Sequence, residues 1–109
     1  MFKVVPNRTF THVVTVMMPI DGGHSAETLK VTYNYLETEE AKKFDLKSPD
    51  GSTEFMKRVI AKLDDVTDAE GKPLPYSDAL RDQVIRMPNA RNAIVNGYFA
   101  AIAKAAEGN

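Results

Sequence analysis

The chain has 109 residues and a formal net charge of −1 at pH 7, with 43% hydrophobic residues, 27% charged residues and no cysteine. These values are typical of one globular domain and unlike those of a disordered chain. The nearly balanced charge gives no broad attraction to nucleic acid or to an anionic membrane. The lack of cysteine excludes a disulfide framework, a thiolate metal site and a thiol nucleophile. We therefore expect a single domain over residues 1–109, with neither a nucleic-acid nor a membrane partner.

The N-terminus has no signal-peptide pattern, and no apolar run approaches the roughly 20 residues that span a bilayer. We therefore expect the chain to stay in the compartment where it is made.

The first third of the chain predicts a β-hairpin. Residues 10–18 are rich in β-branched side chains, and residues 28–35 alternate between polar and apolar side chains. A period of two is typical of a strand with one buried face. Between these segments, Gly22 and Gly23 permit positive φ where the chain reverses. We interpret residues 9–36 as an antiparallel hairpin. It must pack on other elements, because a lone hairpin is marginal in water.

Residues 37–109 predict a helical part of three to four helices. A short helix is capped by Thr38, and a turn at 48–51 follows it. Ser52 or Thr53 then caps a second helix with one apolar stripe. The stripe contains Phe55, Met56, Val59, Ile60 and Leu63. We expect an α+β fold in which the hairpin packs on a small helical bundle.

The third helix starts at Ser77 and ends at Pro88, which also suits the first turn of a last helix. We expect Gly108 and Asn109 to finish that last helix. Its apolar stripe suits either the core or a surface that binds a partner helix. Part of the apolar surface of so small a chain should remain for a partner. The candidate partner-binding residues are Ile94, Tyr98, Phe99 and Ile102.

Two histidines are the natural candidates for catalysis or metal binding. His12 lies in the first predicted strand and His24 lies at the hairpin turn, with Asp21 nearby. A weak metal site requires a hairpin register that places the two histidines opposite each other. Neither has the spacing of a known zinc motif, so we interpret both as surface or packing residues.

Other polar clusters also favour structural roles. The acidic residues before Gly71 do not have the spacing of a calcium loop, which indicates a solvated turn. Arg81, Arg86 and Arg91 are interspersed with acidic residues and lack an aromatic platform, which indicates a solvated face rather than a phosphate-binding surface. We therefore expect no catalytic residue, cofactor or metal, and hence no enzyme.

A longer pattern runs through the second half of the chain. It contains Leu63-Asp64-Asp65-Val66, then Asp68-x-x-Gly71-Lys72-Pro73-Leu74-Pro75-Tyr76-Ser77, and then Met87-Pro88-x-x-Arg91 with Tyr98. Over residues 52–102 it resembles the tail assembly chaperones of long-tailed phages and prophages. That family often has a tryptophan where Leu63 stands. We expect the segment 64–77 to be a rigid corner that sets the angle between two helices.

The resemblance implies a non-catalytic protein of the host bacterial cytoplasm. It implies binding to the tape measure protein, in several copies on that partner, and help in recruiting tail tube subunits. It also implies absence from the mature virion. The family is often extended by a frameshift, and the ending Glu107-Gly108-Asn109 suits a short form. Two alternatives stay open: a head–tail joining or tail terminator component, and a small enzyme that uses His12 and His24.

Overall fold

A computed structural model describes the backbone of residues 1–106 and the side chains of residues 1–103. The predicted helix end at Gly108 and Asn109, and Glu107 before it, lie outside these residues. The elements in chain order are β1 (Thr9–Ile20), β2 (Gly23–Asn34), α1 (Thr38–Ala41), α2 (Pro49–Val59), β3 (Ile60–Asp64), α3 (Asp78–Ile85) and α4 (Pro88–Ala106).

The predicted hairpin is confirmed. β1 and β2 pair antiparallel from Thr9 opposite Asn34 to Ile20 opposite Gly23. Of the two glycines, only Gly22 uses positive φ, at 77°. The β1 side chains predicted for the apolar face are buried or half-buried except His12, which is exposed.

The main difference from the sequence-based expectation is β3. Ile60–Asp64 leaves the helix and pairs antiparallel with β2, so the sheet has three strands in the order β1-β2-β3. Tyr33 pairs with Ile60 but Thr32 pairs with Lys62, which makes a bulge at Ala61. Because a bulge inserts one extra residue, Ile60 and Leu63 are both buried although they are three positions apart. The spacing of three positions between Ile60 and Leu63 is the one from which we predicted that the helix continues.

The predicted helical bundle is therefore not confirmed. Instead, α4 packs against β1 and α2 packs against β2, while α3 contacts both α2 and α4. The core lies between the sheet and these helices. Its fully buried side chains include Val31, Tyr33, Phe55, Met56, Val59 and Ile94.

Helix starts were predicted with mixed success. Ser77 caps α3, since its Oγ accepts a hydrogen bond from the Leu80 N–H at 3.1 Å, and Pro88 begins α4. The start of α2 was predicted wrongly, because Ser48 is its cap and accepts from the Gly51 N–H at 2.9 Å. Proline at the first helical position is pre-organised for a helix, so the turn predicted at 48–51 is the first turn of α2. The cap expected at Thr38 was also wrong, since α1 starts after Glu37.

Two tyrosines connect the sheet to α4. The Tyr33 hydroxyl donates to the Ile94 carbonyl at 2.7 Å, and the Tyr98 hydroxyl accepts from the Leu36 N–H at 3.2 Å. Burial raises the pKa of Tyr33 above its ordinary value, so this hydroxyl keeps its proton to higher pH than an exposed tyrosine. Gly97 lets the two elements approach, because a Cβ at this position would lie 2.8 Å from the Tyr33 hydroxyl.

Candidate partner-binding surfaces

The four predicted partner-binding residues of α4 do not share one exposed surface. Ile94 is fully buried and Tyr98 is 3% exposed, so both belong to the core. Ile102 is half-buried against the core, whereas Phe99 is 40% exposed and stacks on Phe55, with ring centroids 5.6 Å apart. This corrects the expectation for Ile94 and Tyr98, which no partner can reach in the folded chain. Binding through Phe99 and Ile102 stays a prediction.

The histidines lie far apart. His12 pairs with Val31 and His24 pairs with Pro19, so seven positions of β1 separate the two sites. At about 3.3 Å per residue this is roughly 23 Å, which is too far for one metal site. In the part of the chain that the structure describes, no group of three His, Cys, Asp or Glu side chains is placed to hold a metal ion.

The three arginines do not form one phosphate-binding surface. Arg81 pairs with Asp78 at 3.6 Å and Asp82 at 3.1 Å, and Arg86 is exposed. Arg91 instead bridges three helices. Its guanidinium donates to the carbonyls of Pro49 and Ile85, and to the hydroxyls of Ser52 and Thr53, at 2.7–3.1 Å. The sequence interpretation missed this structural role, because three of the four acceptors lie 38–42 residues earlier in the chain.

The segment 64–77 folds back on itself. Thr67 pairs with Pro73, and the Leu74 N–H donates to the Val66 carbonyl at 2.8 Å. At its tip, the Asp68 carboxylate accepts from the N–H groups of Glu70 and Lys72, each at 2.9 Å. Gly71 takes the positive φ of 84° that this tip requires. The segment therefore joins β3 to α3, and the prediction of a corner between two helices was wrong.

One apolar groove lies between this segment and the far half of the hairpin. We call it the hairpin groove, and its volume is about 490 Å³. The buried lining residues come from the sheet, as Leu29 does, and from the helices, as Leu80 does. Other lining residues, such as Leu74 and Met87, are partly exposed. The apolar lining residues are Val16, Met18, Leu29, Val66, Leu74, Leu80, Val84 and Met87. The charged lining residues are Glu27, Asp65 and Asp68, and none is basic. The groove therefore combines an apolar floor with an acidic rim.

A second groove, of about 750 Å³, runs between β1 and α4. We call it the edge groove. Its β1 side contains His12, Val13, Thr15 and Met17, and among residues 1–103, whose side chains the structure describes, no acidic residue, lysine or arginine lines it. The α4 side consists of asparagines and small residues, namely Asn89, Asn92, Ala93, Asn96, Gly97, Ala100 and Ala101. The Asn89 side chain crosses the groove and donates to the Met17 carbonyl at 2.7 Å.

Comparison of the chain with protein-family models, with curated proteins and with solved structures found no match. Among the residues that the structure describes, no helix has the length and apolarity needed to cross a membrane.

Proposed function

We propose that this chain is a non-catalytic phage tail assembly chaperone. In this proposal its hairpin groove binds an amphipathic helix of the tape measure protein, and the bound chain helps to recruit tail tube subunits in the host cytoplasm. The observation that carries the proposal is that the sequence segment with the family resemblance lines the hairpin groove.

The residues of that segment divide into two groups. Val66, Leu74, Leu80 and Met87 line the groove with apolar side chains. Asp68, Gly71 and Ser77 hold the backbone that places them, through the turn at 68–72 and the cap of α3. The side chains of Asp68 and Ser77 hydrogen-bond to backbone N–H groups, and the apolar side chains of the segment line the groove. This arrangement supports a binding role.

The chemistry of the groove indicates what kind of helix fits it. Met18 and Met87 are flexible and adapt to different apolar side chains. The groove is smaller than a whole helix, which is about 10–12 Å wide with its side chains, so it suits the side chains of one helix face. Among the acidic lining residues, Asp65 lies 3.8 Å from the Lys30 ammonium and Asp68 accepts from its own turn, so Glu27 in particular favours a lysine or arginine beside that face. Such a small interface also gives the weak binding that a chaperone needs in order to leave.

Coexpression with the tape measure protein tests this proposal. Leu74 is 37% exposed and Met87 is 41% exposed, so Leu74→Glu and Met87→Glu place a carboxylate in the groove with little effect on folding. The matched control is Leu46→Glu, because Leu46 is 40% exposed and lines neither groove. We expect the wild type and the control to copurify with the tape measure protein, and the groove variants to lose it.

Equal copurification of the groove variants and the wild type would contradict binding at this groove. Mass spectrometry of mature particles supplies the second arm of the test. A chaperone is absent from them, whereas a head–tail joining or tail terminator component is present. Finding the chain there would overturn the chaperone proposal in favour of that alternative.

A further inference from the structure

β1 has one unpaired edge. It is the outer strand of the β1-β2-β3 sheet, and its partner β2 occupies the other side. The Arg8 carbonyl accepts from the Tyr35 N–H on the β2 side, at 2.8 Å, whereas the Met17 carbonyl accepts from Asn89 on the opposite side. Because backbone groups alternate in direction along an antiparallel strand, the odd-numbered residues of β1 direct their N–H and C=O groups to the free edge. These groups open into the edge groove.

Between positions 11 and 15 this edge lacks the usual protection against strand addition, whereas at its far end Pro19 has no N–H and the Met17 carbonyl already accepts from Asn89. Natural edge strands carry charged residues, prolines or bulges that prevent another strand from pairing. Here the residues directed to the edge from 11 to 17 are Thr11, Val13, Thr15 and Met17, without charge or proline. Val13 is 63% exposed, so an apolar side chain stands at the centre of the edge. An extended segment can therefore pair with this edge as an additional strand.

The chain itself contains such a segment. Residues 1–5, which we call the arm, carry large apolar side chains, and Phe2 and Val4 are each 90% exposed. The arm is followed by a turn at Pro6 and Asn7, where Asn7 has a φ of 55°. The Arg8 guanidinium donates to the Lys3 carbonyl at 2.8 Å and so holds the arm against this turn. The arm is thus presented on a defined turn with its apolar side chains uncovered.

We propose that the arm of a second copy of this chain adds to the free edge of β1, inside the edge groove. Five arm residues span about 16 Å, which matches the five positions from 11 to 15. On the facing wall, small residues such as Gly97 and Ala100 leave room for Phe2 and Val4. The apolar Val13 and the small α4 residues of the described lining also suit an apolar strand.

The arm of the same copy is not placed to fill this position. A two-residue turn at Pro6 and Asn7 would make Val5 and Arg8 a hydrogen-bonded pair. However, the Arg8 carbonyl is directed to β2 and bonds Tyr35. A longer loop that pairs Val4 with Thr9 would bring Met1 only as far as His12, so the arm of the same copy does not reach positions 13 to 15. The contact over positions 11 to 15 therefore joins the arm of one copy to the edge of another, which is a heterologous interface. It involves two copies of this chain alone and does not rest on the tape measure proposal.

Sedimentation velocity of the full chain tests the contact. We expect reversible association that increases with protein concentration. Phe2→Glu changes the arm, and Val13→Glu changes the edge while placing Glu opposite Lys30, which favours folding. Each variant should weaken association about tenfold or more. Leu46→Glu is the control for an added surface carboxylate and should associate as the wild type does. A wild type that stays monomeric at all concentrations, or variants that associate normally, would overturn the proposal.

A mixing experiment separates this contact from other kinds of self-association. The Phe2→Glu copy keeps its edge and the Val13→Glu copy keeps its arm, so the mixture has one intact arm–edge pair. We expect the mixture to form complexes of two chains and to stop there. If each variant alone is impaired and mixing restores nothing, the arm and the edge are not partners, and the proposal is overturned. Circular dichroism of each variant checks that it is folded.

Discussion

The contact between Gly97 and Tyr33 makes a quantitative prediction about packing. In a helix interior, replacing glycine with alanine ordinarily stabilises by roughly 1 kcal/mol. At position 97 the new Cβ would lie 2.8 Å from the Tyr33 hydroxyl and 3.3 Å from Val14 Cγ2. The hydroxyl has little room to move, because the Tyr33 ring is fully buried and its hydroxyl donates to Ile94 at 2.7 Å. The substitution must therefore displace the ring or break this hydrogen bond.

The expected free-energy change follows from three effects. Overpacking of a core costs about 1–3 kcal/mol, and loss of the Tyr33 hydrogen bond costs about 1 kcal/mol. The gain in helix propensity roughly offsets the cost of losing the Tyr33 hydrogen bond. We expect Gly97→Ala to lower the free energy of unfolding by about 1–3 kcal/mol. In a Tyr33→Phe background the hydroxyl is gone, and the nearest remaining atom is the Val14 methyl carbon Cγ2 at 3.3 Å, which has to move by only a few tenths of an ångström. There the same substitution should be nearly neutral or stabilising.

Urea unfolding of the four chains in this double-mutant cycle measures the coupling. Ala100→Gly is a control for helix propensity, because Ala100 is exposed on the same helix, and it should cost about 1 kcal/mol. Equal destabilisation by Gly97→Ala in both backgrounds, or stabilisation in the wild type, would refute the close approach of α4 to β2.

Three further substitutions test other parts of the structure. Ser77→Ala should cost about 1 kcal/mol in urea unfolding, because the Leu80 N–H loses its cap acceptor. Arg91→Lys should cost about 1–3 kcal/mol, since one ammonium cannot satisfy the four acceptors on α2 and α3, whereas Arg86→Lys should be nearly neutral; equal effects of the two lysines would contradict the bridging role. Above the ordinary tyrosine pKa of about 10, the unfolded chain releases the proton that folded Tyr33 retains, so stability should fall as pH rises. Tyr33→Phe should reduce that alkaline loss in thermal unfolding measured from neutral pH upward, and an unchanged loss would contradict the burial of this hydroxyl.

The local patterns of the sequence predicted the elements whose periodicity is regular. The alternation in residues 28–35 gave the right face for Leu29, Val31 and Tyr33, and the hydroxyl of Ser77 marked the start of α3. The pattern failed at Ile60–Asp64, because the bulge at Ala61 converts a strand's period of two into a spacing of three. No local signal separates that spacing from a helix that continues.

The candidate site was harder to predict than the fold. Periodicity in α4 shows which residues share a face, but it does not show that the sheet covers Ile94 and Tyr98. The hairpin groove joins residues from the hairpin, the segment 64–77 and α3. Only the register of β1 on β2 and the folding back of that segment bring them together. The segment 64–77 was predicted to be a corner between two helices, which was wrong, because it follows β3 rather than a helix.

Site-specific crosslinking tests the central claim most directly. A photoreactive residue at position 74 lies in the hairpin groove, and one at position 46 is equally exposed elsewhere. Each chain is coexpressed with the tape measure protein and irradiated before purification. We predict a crosslinked product with the tape measure protein from position 74 and none from position 46. Equal products from both positions, or no product from position 74 in a complex that still copurifies, would contradict binding in the hairpin groove.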